Sequence, residues 1–439
     1  MPTLWYSARQ FWSRLPIAMR GLYTLLFLLL LPVVLLRLWW RGRANPGYRL
    51  RWRERFARLP TLQTGGIWLH AVSVGETLAA VPLVKALQQQ YPQLPITITT
   101  TTPTGSERVR AAFGDSVQHV YGPYDLPWLV QRFLRQLQPR LCLIMETELW
   151  PNLLAGCHAA QVPVVLVNAR LSKRSARGYS RVGALTRGML AQLTRIAAQE
   201  RSDARRFVRL GMASDRVIVT GSIKTDVVVS DAQRELGALL RAQLEAGPQH
   251  RRYVIIAAST HAGEDELVLD AFARVRSEHP DAALILVPRH PERFEAVAAL
   301  ITARGFALAR RSRNDIDAQT AVLLGDSMGE LMAFYAAADV AFVGGSLVPR
   351  GGHNLLEPAA LALPIVQGPH TFNFAAQSRR FRRAGAMREV ANAEALAACW
   401  LAWADPLVRT PVGSHALTEL NRLRGSLPRV LALLTPYLR

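Results

Sequence analysis

Short apolar runs rich in β-branched residues recur along this chain, each followed by a helix-length segment, and this alternation restricts the fold more than any other feature. The runs 67–73, 96–102, 141–147, 162–168 and 217–221 read as strands. Parallel strands need crossover helices between them, so the spacing predicts a doubly wound α/β domain. The pattern lapses over 231–250, a polar stretch with Gly237, Gly247 and Pro248, and restarts with 253–260, 282–288, 322–325, 340–344 and 364–368. Two tandem Rossmann-like doubly wound domains are expected, 59–230 and 251–439, joined by a linker at 231–250. A chain of 439 residues suits two cores, since single cores stop growing beyond roughly 250–300 residues. The last helical stretch, 416–433, is a candidate to pack back on the first domain.

Ahead of the first strand, 1–58 reads as a membrane anchor with a basic flank. Residues 21–36 are uncharged and Leu-rich, and the apolar character resumes at Leu38, Trp39 and Trp40, together about one bilayer span. Pro32 is expected to kink this helix, and the two tryptophans to sit at the interface. No small-residue cleavage site follows, which argues for an uncleaved anchor over a signal peptide. Beyond it lie Arg37, Arg41, Arg43, Arg49, Arg51, Arg53, Arg55 and Arg58, opposed only by Glu54. Anionic inner-membrane lipids are the expected partner of this flank, and the positive-inside rule places it in the cytoplasm, against the weaker upstream set Arg9, Arg14 and Arg20.

The net charge of +21 implies a polyanionic partner but does not choose one. Nucleic acid is disfavoured, because no basic stripe is interleaved with aromatics. Lysine is rare, with Lys85, Lys173 and Lys224 alone among fifty arginines, so any lysine at a strand end stands out. Three cysteines, Cys142, Cys157 and Cys399, lack CxxC spacing and lie in apolar stretches, pointing to neither a disulfide framework nor a zinc site.

In a doubly wound domain ligands bind outside the carboxyl ends of the strands. There the first domain places His70-Ala-Val-Ser-Val-Gly-Glu76, with Glu76 opening a helix and aimed at the ligand face. A carboxylate there suits a general base for a sugar hydroxyl, and equally an ordinary acid in a helix's first turn. Thr99 to Thr102 and the following turn read as a β-branched strand with an N-cap. Glu146 and Glu148 close another strand, and one of them is expected to face the site. Trp150 is expected to pack. Lys224, in Gly221-Ser-Ile-Lys224, could neutralise charge in a transition state or be a solvated loop residue.

In the second domain hydroxyls, Arg289 and His290 follow two strands. The Arg289 fork suits phosphate, whereas His290 lacks a second ligand at helical spacing, so no metal is expected. At 325–330 the alternatives are backbone amides meeting a nucleotide or an N-cap by Ser327. The run 344–358 is a Gly-rich loop entering a helix, with Asn354 and Glu357 one turn apart. Its glycines would let phosphate approach, the helix N-terminus would attract it, and Glu357 could hold ribose hydroxyls. It matches neither Walker nor GxGxxG spacing, which demotes ATP hydrolysis and NAD chemistry.

Together, HAVSVGE, METELWPN, GSIK, VPRHPERF, GDSMGELM and GGSLVPRGGHNLLEPA resemble the Kdo (3-deoxy-D-manno-octulosonic acid) transferases of lipopolysaccharide biosynthesis, over nearly the whole chain. The resemblance implies a GT-B-type fold and inverting, metal-independent transfer of Kdo from CMP-Kdo to a lipid A precursor, without a cofactor. It implies that the amino-terminal domain takes the acceptor and the carboxy-terminal one CMP-Kdo. Glu76 matches the general base, and Glu146 and Lys224 match positions of transition-state stabilisation. Pro288, Arg289, Met328, Gly329, Glu330, Asn354, Leu355, Leu356 and Glu357 match CMP-contacting positions, the two leucines through backbone.

Two other readings compete. One is a GT-B-type transferase or sugar-nucleotide epimerase with a uridine donor; the other is a non-catalytic, basic protein of the membrane surface. The second leaves unexplained the carboxylates and Gly-rich turns at so many strand ends.

Overall fold

The computed structural model describes the backbone of residues 3–245 and 251–439, with side chains from residue 18 onward. Two compact units emerge: Met1–Asp226 with Arg424–Arg439, and Val227–Leu423. Each is built on a seven-stranded sheet in which every pairing is parallel.

In the first unit the strands are β1 (Ile67–His70), β2 (Ile96–Thr100), β3 (Gln118–Tyr121), β4 (Leu141–Met145), β5 (Val164–Ala169), β6 (Arg195–Ala198) and β7 (Val217–Val219), in the spatial order β3-β2-β1-β4-β5-β6-β7. The chain winds outward from β1 in one direction, then restarts at β4 on the other side. The crevice outside β1 and β4 is thus the switch point where such sheets bind ligands. Alternate residues serve opposite faces: Trp68, Cys142 and Ile144 pack with Phe133, whereas Ile67, Leu69 and Leu143 pack with Leu83 and Val84.

The second unit holds β8 (Val254–Thr260), β9 (Ala283–Pro288), β10 (Leu308–Arg310), β11 (Val322–Leu324), β12 (Val340–Val343), β13 (Ile365–Gln367) and β14 (Met387–Glu389), in the order β10-β11-β9-β8-β12-β13-β14. Its switch point lies between β8 and β12. Ile255, Ala257 and Leu284 pack with Phe272 and Trp400 on one face; Ile256 and Ile285 pack with Phe334 on the other.

The expected linker differs. Asp231–Leu244 is a helix of the second unit, opened by a capping box between Ser230 and Gln233. Leu240 and Leu244 bury against Phe334, and Gly237 allows the close approach of Ala333 and Ala336, which a β-carbon would obstruct. The polar residues that read as linker form this helix's outer face; 246–250, with Gly247 and Pro248, lie outside the described residues. The contact boundary falls instead at Asp226/Val227.

The carboxy-terminal stretch divides. Pro406–Leu423 is a helix of the second unit, while Ser426–Leu434 belongs to the first, burying Val430 and Leu434 with Ile67 and Leu83. Asp226 accepts hydrogen bonds from Gly425 N (2.6 Å) and Leu427 N (2.5 Å), tying the start of that helix to the end of the first unit's amino-terminal segment.

The amino-terminal helix spans Thr3–Arg41 without a break at Pro32, and Ala18–Arg41 is long and apolar enough to cross a membrane, with a mean hydropathy of 2.3. One face meets the first unit: Phe27 and Leu31 pack on its core, and Thr24 and Asn152 exchange a hydrogen bond at 3.0 Å. Leu22, Leu25, Leu29, Val33, Leu36 and Trp40 form an exposed stripe on the other face. The side chains of Arg9 and Arg14 lie outside the described residues.

The basic flank is not uniform. Arg55 is buried, with its guanidinium on Thr101 O (2.9 Å) and over the Tyr121 ring, and Arg51 binds Glu54 (2.7 Å) and His119 O (2.8 Å). These two are internal ties of the first unit and are withdrawn from lipid. Arg37, Arg41, Arg43, Arg49, Arg53 and Arg58 are exposed.

Candidate functional site

Glu76 sits in the first turn of the helix Val74–Gln90, immediately after β1 and at the switch point. Ser73 caps this helix by accepting from Glu76 N at 3.3 Å. The Glu76 carboxylate accepts from Val72 N and from Ser73 Oγ, each at 2.8 Å. These bonds alone would favour the charged form. Burial outweighs them and, with a smaller push from Glu148 and Glu146, raises the Glu76 pKa to about 7. The place in the first turn of the helix and the raised pKa therefore occur in one residue. A carboxylate that exchanges its proton near neutrality is matched to general-base work.

Glu146 and Glu148 both act on Glu76, where only one was expected to face the site. β4 ends at Met145, and Glu146 takes a left-handed conformation with φ 54°, uncommon without glycine. The turn releases both acids from the period of the strand, and the charges of both reach Glu76. Glu146 pairs with Lys224 at 3.2 Å. Lys224 lies in the turn Ile223–Thr225, held by a hydrogen bond from Ile223 N to Asn168 Oδ1 at 3.1 Å. Glu148 accepts from Trp150 Nε1 at 3.1 Å, and burial raises its pKa. The structure thus gathers Glu76, Glu146 and Lys224, and adds Glu148.

Supporting residues are structural. Trp150 packs edge-on against His70 at 4.7 Å between ring centroids. His70 is fully buried and bonded to Thr99 Oγ1 at 2.8 Å, and burial lowers its pKa to about 4. Thr102 caps the next helix, accepting from Gly105 N at 3.1 Å, as its position suggested.

In the second unit the nine positions fall at the carboxyl ends of β9, β11 and β12. Pro288 and Arg289 close β9, where the Arg289 amide binds Thr260 O at 3.0 Å, and the Arg289 side chain is exposed. Its charge reaches His353, His261 and Glu357. Asn354 donates to Glu357 Oε1 at 3.0 Å, and burial raises the Glu357 pKa. Leu355 and Leu356 are buried in the core, and the Leu356 amide binds Asn354 Oδ1 at 3.2 Å, so that N–H is already engaged. Met328 is exposed and Gly329 has φ 89°. Glu330 is clamped by Arg311 (2.8 and 3.0 Å) and also receives the Ser327 hydroxyl, so Ser327 is not the N-cap considered for it.

The Gly-rich loop works differently from the phosphate cradle read from its glycines. Glu264, fully buried after β8, accepts from the amides of Gly345 (2.6 Å), Ser346 (2.9 Å), Leu347 (2.9 Å) and His261 (3.0 Å). A protein carboxylate already occupies the donors that a phosphate would use, and the helix beyond, Leu356–Ala360, is too short for an appreciable dipole. Instead the loop presents side chains. His353 Nε2 meets His261 Nε2 at 2.9 Å with the rings stacked, and His290 stands 5.3 Å from His261 between centroids. His261 and His353 were not foreseen as site residues; their place at the switch point was the available signal. Glu264 gave none, reading as an ordinary acid at a helix start.

Comparison with known proteins accords with this geometry. Residues 50–227 match the family model for 3-deoxy-D-manno-octulosonic-acid transferase. A 3-deoxy-D-manno-octulosonic acid transferase of Haemophilus influenzae is 44% identical over 95% of this chain and 99% of its own length. One from Bordetella pertussis is 40% identical over 92% and 94%. A glycosyltransferase of Rickettsia africae shares the GT-B architecture at 12% identity, with a TM-score of 0.53, covering 86% of this chain and 100% of that one. This chain belongs to the 3-deoxy-D-manno-octulosonic acid transferase family.

Proposed function

We propose that the chain transfers Kdo from CMP-Kdo to a lipid A precursor with inversion, its first unit handling the acceptor and its second the donor. The observation that carries this reading is the Glu76 carboxylate, placed at the first sheet's switch point with its pKa raised to about 7 by burial. Glu76 takes the proton of the acceptor hydroxyl as that oxygen bonds to the anomeric carbon of Kdo. The bond from that carbon to the phosphate oxygen breaks, and CMP leaves with the electron pair. Direct attack from the opposite side inverts the centre.

Lys224, held by Glu146, supplies positive charge as the transition state forms. On the donor side Arg289 takes the phosphate, Asn354 and Glu357 the ribose, and Pro288, Met328, Gly329, Glu330, Leu355 and Leu356 shape the rest of the nucleotide site. No cofactor, metal ion or nucleic acid enters the proposal. The exposed stripe of the amino-terminal helix and the exposed arginines from Arg37 to Arg49 suit the cytoplasmic face of the inner membrane and its anionic lipids.

The test is incubation of the detergent-solubilised protein with CMP-Kdo and a lipid A precursor, with mass spectrometry counting the added sugars. A product heavier by whole Kdo units is expected. Turnover of a UDP-sugar with none of CMP-Kdo would overturn the donor assignment.

A further inference from the structure

The histidines His261 and His353 have no part in the scheme above, yet they stand at the second sheet's switch point. They follow β8 and β12 and join Nε2 to Nε2 at 2.9 Å. His353 is half-buried, its ring packed against Gly345, where a β-carbon would lie 2.9 Å from it. Burial is the first cause that lowers the His353 pKa to about 4 and that lowers His261 as well. Arg289, Arg293, Arg350 and His290 surround the pair. Among nearby acids, Glu264 is spent on backbone amides, Arg293 holds Asp265, and Glu292 stands 3.9 Å from His290. Glu357 feels the charge of Arg289 and accepts from Asn354, so among the described residues no carboxylate bonds to the imidazole of His261 or His353. Next to His353, at Gly352, the fully buried Gln367 turns an Nε2 with no partner among the described residues toward the loop.

We infer that His261 and His353 form a carboxylate subsite, which receives the acid group carried by the anomeric carbon of the donor sugar. The inference rests on the proposed donor, a nucleotide-linked sugar acid. Such a donor brings two anions on one carbon, a phosphate and a carboxylate. Arg289 is suited to the first by its fork, which leaves the second to the imidazoles. In the empty site one Nε2–H donates to the other Nε2, so the pair needs a single proton there. When the carboxylate enters, the hydrogen bond between the two Nε2 atoms breaks, the pair takes a proton from solvent, and each Nε2–H turns to bind one carboxylate oxygen. A neutral sugar would supply no charge to draw that proton in, so the pair selects for acid sugars.

CMP separates this role from loop scaffolding, because it carries the nucleotide and phosphate but no sugar acid. The KM for CMP-Kdo and the Ki of CMP are measured on the parent and on His353→Gln and His261→Gln. The expected result is a KM about tenfold higher or more, with the CMP Ki within about twofold of the parent. The ratio of Ki to KM should also fall more steeply from pH 6 to pH 8 in the parent than in the double variant His261→Gln/His353→Gln, because titration of the CMP phosphate is common to both and imidazole becomes scarcer as a cation only in the parent. A Ki that rises in step with KM would mean a scaffolding role and overturn the inference, as would a KM unchanged in both variants. If the parent transfers no Kdo at all, the donor assignment itself fails, which this comparison reports separately.

Discussion

The two switch points lie in parallel, doubly wound sheets that differ in the order of their strands, and they carry opposite electrostatics. In the first unit three carboxylates crowd together, and burial raises Glu76 and Glu148 toward neutrality. In the second, histidines and arginines crowd, and burial lowers His261 and His353. Desolvation disfavours charge of either sign, so the same physical term leaves a proton acceptor near neutral pH on one side and uncharged imidazoles on the other. The fold supplies the crevice, and the residues that follow each strand decide what it does.

The sharpest way to break the comparison is Glu76→Gln. If chemistry resides in the first unit and donor binding in the second, kcat falls by about 10²–10⁴ while the KM for CMP-Kdo stays within about twofold. An equal loss in KM would erase the division of labour. Steady-state kinetics with both substrates varied decides it.

Leu434→Ala tests whether the first unit needs its carboxy-terminal helix. Emptying a fully buried position in that core should cost about 2–5 kcal/mol in chemical denaturation. The second unit's transition, followed through CMP binding, should stay in place. Arg289→Ala should weaken CMP by about 2 kcal/mol, roughly thirtyfold, because it removes a charge-assisted contact to phosphate. Equilibrium binding measures it, and an unchanged affinity would take Arg289 out of the phosphate site.

The smallest effect concerns pH. Glu76 works as a base only when ionised, so kcat/KM should drop about tenfold per unit as pH falls below the limb near 7. Glu148→Gln removes one of the charges that raise this pKa, so the limb should move to lower pH. A limb that moves upward would contradict the electrostatic account of the carboxylate cluster.

What was legible in the sequence follows from what each residue must satisfy. Strands such as 141–145 and 254–260, buried on both faces, announce themselves as unbroken apolar runs. Gln118–Tyr121, Arg195–Ala198, Leu308–Arg310 and Met387–Glu389 carry polar residues in three or four positions' length and were missed; neighbouring strands, more than their own composition, place them. Glu76 was visible because strand, turn and acid follow one another. That the charges of both Glu146 and Glu148 act on Glu76 was hidden, because it depends on the left-handed turn at Glu146, which the sequence does not announce. The Gly-rich loop advertised its glycines, but the carboxylate that claims their amides comes from eighty residues earlier, a long-range pairing that local pattern does not encode.

Asp226 leaves one further consequence. The chain departs from the first unit at Val227, builds an entire second unit, and returns at Arg424, where the Asp226 carboxylate receives it. The second unit is therefore an insertion, and the first is discontinuous in sequence. During synthesis the amino-terminal helix and seven strands emerge long before Val430, Leu434 and Leu438, which complete one of the two cores of that unit. The unit that starts folding first is the last to finish, and a ribosome that stops short of the final helix leaves an apolar seam open in the first unit while the second is already whole.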